Sequence, residues 1–322
     1  MTDIASLVRI IRDSRGLMHK GDIAPVMRRL GIGGEGAVPV GDDTAAIPDG
    51  DGHLLFAIEG FVEDFVAADP WFAGYCGVMV NVSDVLAMGG RPLAIVDALW
   101  CDGDEGGARI LAGMREAARR YHVPVVGGHS NLRSAAGQLA VAILGRADDL
   151  VTSFGAQPGD ALLVATDLGG RFRDPFPWWD ASTGADDAHI AGLLPILPDL
   201  AADSLLTAAK DISMAGVVGT AIMLADASRV GMTIDLDALP RPAGQGLERW
   251  LTAFPSFGFI MTAKGHDVPR IIERFARGGV ACAQVGTVTQ ADVAIAHDGE
   301  AATVWTSQTP LIGCHAKEPA HA

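Results

Sequence analysis

The chain has 322 residues, 49% of them hydrophobic, which is more than a single core usually organises (about 250–300 residues) and predicts two domains. A net charge of −15 argues against nucleic acid as a partner, because grip on a phosphate backbone draws on clustered Lys and Arg. Its 40 glycines are scattered instead of repeating, a pattern of tight turns and close backbone approaches and not of disorder.

In chain order, residues 2–12 and 22–30 read as amphipathic helices separated by the polar stretch RGLMHKGD, and GIGGEG at 31–36 reads as a flexible loop. Strands are predicted at 54–59, 93–99 and 139–145, and helices at 71–88 and 107–120. The apolar run Trp71 to Met88 is interrupted by Asn81, Ser83 and Asp84, so it is a buried helix and not a membrane span. A turn cluster, GAQPGD at 155–160, marks the domain boundary. After it come a strand ALLVAT, a helix at 216–228 and strands near 231–236, 257–263 and 284–288.

Between these elements RFRDPFPWWDAST, at 171–183, is broken as a helix by Pro175 and Pro177. It is either a loop packed by its own aromatics or a lid over substrate. The tail after Gly313 is polar and expected to fray. Cys76, Cys101, Cys282 and Cys314 are far apart with no CxxC pair, which signals neither zinc nor a disulfide framework and fits a reducing cytoplasm. Met1 to Ile11 carries Asp3 and Arg9 and no export signal.

Four short segments carry polar groups where chemistry would need them. GDDTAAI at 41–47 places Asp42 and Asp43 after a glycine and before an apolar strand, a pattern that also suits a plain turn. NVSDVLAMGGRP at 81–92 puts Asn81 and Asp84 on one face of a helix that is otherwise apolar. A carboxylate there costs several kcal/mol, about, unless it is paired, bound to metal, or placed at a helix end as a cap. VPVVGGHSN at 123–131 runs a short strand into Gly127 and Gly128, where backbone can approach a phosphate. His129 there is either a turn residue bonded to backbone or a donor to substrate. KDISMAGVVG at 210–219 sets Asp211 before a helix start that suits an anion, and Asp211 is equally placed to cap it.

GIGGEG also satisfies G-x-G-x-x-G at Gly31, Gly33 and Gly36, but it follows a helix and not a strand, so a dinucleotide fold is not indicated. The phosphate loop GxxxxGK[ST] does not occur.

Taken together and in this order, GDD, DP followed by NVSDVLAMGG, GGHS and KDISMAGVVG resemble the aminoimidazole ribonucleotide synthase superfamily, over roughly residues 15–290. That superfamily includes thiamine-monophosphate kinase, selenophosphate synthetase and HypE-type hydrogenase maturation proteins. The resemblance implies an α/β fold of two domains, 1–150 and 151–313 with a tail at 314–322, in which the N-terminal sheet pairs with a second subunit into a dimeric barrel. It implies ATP and Mg2+ as cofactors, a small-molecule phosphoryl acceptor, a homodimer, and neither nucleic acid nor membrane as partner.

By motif, the metal ligands would be Asp42, Asp43, Glu59, Asp84 and Asp211. Nucleotide contacts would come from Gly41, Asp43, Thr44, Asn81, Gly127, Gly128 and Ser130, and catalytic contacts from Lys20 and His129. Magnesium favours oxygen ligands shared between carboxylates and phosphates, which agrees with such a set.

There are departures from the pattern. Glu59 stands where many relatives have aspartate, and His129 where the kinases have aspartate. Selenophosphate synthetase has a reactive cysteine or selenocysteine before its lysine; here the stretch reads Leu17, Met18, His19, Lys20. The SDG of thiamine-monophosphate kinase is replaced by ISMAG at 212–216. The rival readings are that kinase itself, and a nucleotide-binding scaffold or regulatory protein without turnover.

Overall fold

The computed structural model describes residues 2–32, 38–290, 292–308 and 310–314. In chain order its elements are α1 (Ile4–Arg12), α2 (Arg15–Lys20), α3 (Ile23–Leu30), β1 (Ala45–Asp49), β2 (Gly52–Phe61), α4 (Glu63–Ala68), α5 (Pro70–Ala87), β3 (Arg91–Asp102), α6 (Gly103–Arg120), β4 (Val125–Asn131) and β5 (Arg133–Ala147). They continue with β6 (Ala161–Thr166), β7 (Arg171–Phe172), β8 (Trp178–Asp180), α7 (Asp187–Leu193), α8 (Ile196–Ala202), β9 (Ala208–Asp211), α9 (Gly216–Ser228) and β10 (Gly231–Asp235). The last are α10 (Leu247–Trp250), β11 (Phe254–Pro255), β12 (Gly258–Ala263), α11 (Val268–Arg277), β13 (Ala281–Thr289), β14 (Val293–His297) and β15 (Glu300–Trp305). Two compact units result. Asp43–Leu150 with Asp186–Asp199 form one, and the described residues of Met1–Asp42, Val151–Ala185 and Leu200–Ala322 form the other.

The first unit is built on an open five-stranded sheet of order β1-β2-β5-β3-β4, antiparallel except for the β3–β4 pair. The strands expected at 54–59, 93–99 and 139–145 lie inside β2, β3 and β5. Helix α5 starts where Asp69 accepts the Phe72 N–H at 3.2 Å and Pro70 occupies the first turn. It is apolar on all sides and buried along its length, as its sequence requires. Period-2 alternation on β2 turns Leu55 and Ala57 inward and leaves Phe56 and Ile58 on the other face, 49% and 66% exposed. One expectation is corrected here: VPVVGGHSN does not turn at its glycines, but stays extended as edge strand β4 to Asn131, parallel to β3.

The second unit carries a seven-stranded sheet of order β15-β14-β10-β13-β6-β12-β9. Strand β6 and helix α9 fall where the sequence placed them. The first 42 residues belong to this unit and not with residues up to 150, and the reason is α1. Its apolar face, Leu7, Val8 and Ile11, lies in this unit's core, and Arg12 Nε donates to the Val304 carbonyl at 2.9 Å. The polar stretch after α1 forms helix α2, which was not foreseen. Gly16 lets α2 lie directly on the Met214 carbonyl, since a Cβ there would sit 1.9 Å from that oxygen. Of GIGGEG, Gly31 caps α3 with φ +66°, and residues 33–36 lie outside the described residues.

The aromatic stretch folds as β7 and β8, which join β11 in a three-stranded sheet. Trp179, Phe172 and Trp250 pack edge to face, and both indole N–H groups are satisfied, Trp179 by Asp167 O at 3.0 Å and Trp250 by Pro240 O at 2.9 Å. Packing by its own aromatics, the first of the two readings, accounts for this segment.

Candidate functional site

In the five-stranded unit, the turn before β1 and the C-terminal end of α5 bring Asp43 and Asp84 together, with a carboxylate oxygen of each within 4.8 Å of the other. Asp84 is buried, 6% exposed, and Asp43 half-buried. Capping does not explain Asp84, because Asp69 caps α5 and Asp84 lies near the opposite end. Two like charges this close repel by about 3 kcal/mol at an effective dielectric of about 20. Such a pair offers closely spaced oxygen donors that could hold a cation.

Asn81, one turn earlier on α5, is fully enclosed. Its amide donates to Gly77 O at 2.7 Å and to Val141 O at 2.9 Å, fastening α5 to β5. Thr44 is buried too, and its N–H and hydroxyl both reach Met88 Sδ, at 3.2 and 3.0 Å. Asn81 and Thr44, expected as nucleotide contacts, are both buried and hydrogen-bonded within this unit. Glu59 is exposed on β2 and does not join the close grouping of carboxylates.

On β4, Gly127, Gly128, His129 and Ser130 are all exposed along the sheet edge. His129 sits beside Trp100, ring centroids 5.7 Å apart, so it is a strand residue and not the backbone-bonded turn residue considered above. Gly128 is required by Asp97: a Cβ at Gly128 would lie 2.3 Å from the Asp97 carboxylate. The other Asp97 oxygen is buried with no hydrogen-bond partner among the described residues, and burial pushes this carboxyl above its ordinary value of 3.8. Asp97 was missed, although an aspartate inside the apolar strand LAIVDAL was a visible signal.

In the seven-stranded unit, Asp211 ends β9 and is 5% exposed. It does not cap α9, whose first turn follows Ala215 without a side-chain cap; Gly216, at φ +70°, sits against the Leu251 carbonyl. Lys210, also 5% exposed, was missed as well; a lysine inside the apolar strand AAKDI was the available clue. Its Nζ lies 3.6 Å from Asp42 Oδ1, while Asp42 Oδ2 accepts the Ser153 N–H at 2.7 Å. Asp42 is thus held by its own unit, with a side chain wholly shielded from solvent. Lys20 is half-buried at the end of α2, the helix that packs on Met214. Burial pushes the Cys282 thiol up to about 12 and raises that of Cys101.

A two-domain α/β frame with this set of motifs defines a class, and comparison with known proteins names it. Residues 41–147 match the AIR synthase related protein N-terminal domain, and residues 184–298 match the AIR synthase related protein C-terminal domain. The chain belongs to the AIR synthase related family. Uncharacterized protein sll0787 of Synechocystis sp. is 42% identical over 317 residues, 96% of this chain and 98% of that protein. The thiamine-monophosphate kinase of Halobacterium salinarum is 31% identical over 280 residues, 81% of this chain and 91% of the kinase.

Among solved structures, T. maritima PurL complexed with FGAR matches with a TM-score of 0.78 at 19% identity, covering 100% of this chain and 55% of PurL. AaThiL complexed with AMPPCP and TMP matches with a TM-score of 0.66 at 22% identity, covering 93% and 96%. At these identities the two structures establish the fold. No helix among the described residues is long and apolar enough to cross a membrane.

Proposed function

We propose that this protein binds ATP with Mg2+ and transfers a phosphoryl group to a small molecule. The observation that carries the reading is the pair Asp43 and Asp84, two carboxylates held within 4.8 Å at the end of a buried helix. Their oxygen donors fit magnesium, which takes one or two carboxylates and completes its shell with phosphates and water. Held by these two residues, Mg2+ would supply charge neutralisation for a transferring phosphoryl group. Support also comes from relatives: one is a thiamine-monophosphate kinase, and T. maritima PurL, of the same fold, is known in complexes with ATP, ADP and AMPPCP.

In this reading Asp43 and Asp84 hold the ion, and Asp211 is a further ligand on the strength of its motif. Glu59, being exposed, is available to the outer shell. The exposed backbone of Gly127 and Gly128 with Ser130 contacts phosphate, Lys20 serves as a point charge for the γ-phosphate, and His129 is a donor to phosphate or substrate. Asn81 and Asp42 act by fastening the elements that carry the ligands. The acceptor is a small molecule, and a scaffold without turnover is less well supported, since the close carboxylate pair is retained. Thiamine monophosphate is the specific alternative acceptor, favoured by the Halobacterium relative; a labelled diphosphate product would identify it.

The reading includes a homodimer formed through the open sheet, whose uncovered face presents Phe56, Ile58 and Val96. Ile58→Asp is expected to convert the dimer to monomer in sedimentation; a wild-type monomer would remove this part. The nucleotide site is tested by calorimetric titration of a non-hydrolysable ATP analogue, with and without Mg2+, into wild type and Asp84→Asn. Binding that needs both the metal and Asp84 supports the reading, and equal affinity in the variant overturns it.

A further inference from the structure

Four residues at the C-terminal end of the described chain pack on the turn that leads into the carboxylate pair. Asp226, 3% exposed near the end of α9, accepts through one oxygen the backbone N–H groups of Leu311 at 3.1 Å, Ile312 at 2.8 Å and Gly313 at 3.2 Å. Three amides converging on one buried carboxylate oxygen make a strong, charge-assisted clamp. Of the tail expected to fray after Gly313, Cys314 is buried with its thiol 3.1 Å from Met27 Sδ, and residues 315–322 lie outside the described residues.

The clamp delivers two side chains to Gly41. Cys314 Cβ and Sγ lie 2.6 and 2.8 Å from where a Cβ on Gly41 would be, and an Ile312 methyl lies 3.7 Å from it. Gly41 is at φ +112°, a conformation that side-chain-bearing residues rarely adopt. The same end of α9 also reaches the next residue: Ser228 Oγ donates to the Ser153 carbonyl at 2.6 Å, and the Ser153 N–H donates to Asp42 at 2.7 Å. Gly41 and Asp42 are therefore held from α9 along two separate routes.

We propose that Leu311–Cys314, clamped by Asp226, is a positioning strap that fixes Gly41 and Asp42 so that the following Asp43 is preorganised for metal and nucleotide. The proposal rests on the function proposed above for Asp43. Asp226 is a positioning residue, acting through the strap and touching neither metal nor nucleotide. Through this clamp Ile312 and Cys314 are brought to a turn where a side chain on Gly41 would not fit.

The test compares the full chain with a chain ended after Pro310 and with Cys314→Ala, which leaves the Asp226 clamp in place if the shorter chain fails to fold. Hydrogen exchange of residues 38–44 and calorimetric affinity for AMP-PNP with Mg2+ are read well below the unfolding temperature. Exchange at 38–44 is expected to rise about tenfold on truncation, with β2, β3 and β5 unchanged. Affinity is expected to fall about tenfold, with smaller changes of the same sign in Cys314→Ala. Unchanged exchange in both variants, or faster exchange with unchanged affinity, overturns the proposal. If the full chain binds no nucleotide while truncation speeds exchange at 38–44, the strap stands and the nucleotide reading falls.

Discussion

Helices α5 and α9 are built alike and carry a buried carboxylate to different ends. Each is apolar around its whole circumference, and each buries an aspartate near its C-terminus, Asp84 on α5 and Asp226 on α9. Asp226 is met by three backbone N–H groups, donors that neutralise it from within the fold. Asp84 has a carboxylate oxygen of Asp43 within 4.8 Å. Burial of an aspartate is thus no mark of a site by itself; the sign of its company is. Asp226 stabilises structure, and in the function proposed above Asp84 holds a cation.

The comparison breaks if the two aspartates respond alike when removed. Asp226→Ala leaves three amides without their acceptor and is expected to cost about 3 kcal/mol of stability or more, seen as a lower midpoint in urea unfolding. Asp84→Asn is expected to lower the urea midpoint less than Asp226→Ala does, while losing at least about a hundredfold in Mg2+-dependent nucleotide affinity, roughly 2.7 kcal/mol. A large stability loss in Asp84→Asn with affinity intact would place both aspartates in the structural role.

Much of this contrast was legible in the sequence. NVSDVLAMGG showed a carboxylate in a helix that had to be buried, and GDD supplied its neighbour. The extents of α9 and β6 followed from apolar runs bounded by glycine and turn residues. The membership of residues 1–42 was not legible, because an amphipathic helix such as α1 shows that it has a partner but not which sheet. Asp42 and Asp43 look equivalent in GDD, and only the structure separates one held by Lys210 and Ser153 from one facing Asp84. The continuation of β4 through its two glycines was hidden, because they read as a turn until Asp97 is seen to need the space at Gly128.

Asp97 sharpens the comparison with the smallest effect. Burial raises its folded pKa above the ordinary value of 3.8, so the folded state favours the protonated carboxyl. The sign follows: this contribution is fully present below the unfolded pKa and is lost as pH rises through the folded pKa. Asp97→Asn is expected to remove that slope and to raise the unfolding midpoint modestly at neutral pH. A fall at neutral pH would mean that the ionised form has a donor supporting it, as Asp226 does.

The central claim is that Asp43 and Asp84 hold one ion together, and a double-mutant cycle addresses it most directly. The measurement is the Mg2+-dependent affinity for a non-hydrolysable ATP analogue in wild type, Asp43→Asn, Asp84→Asn and the double variant. Two ligands of one ion are expected to be strongly coupled, so the double variant should bind little worse than the weaker single variant. Losses that simply add would contradict a shared ion and would leave the two carboxylates as independent features of the fold.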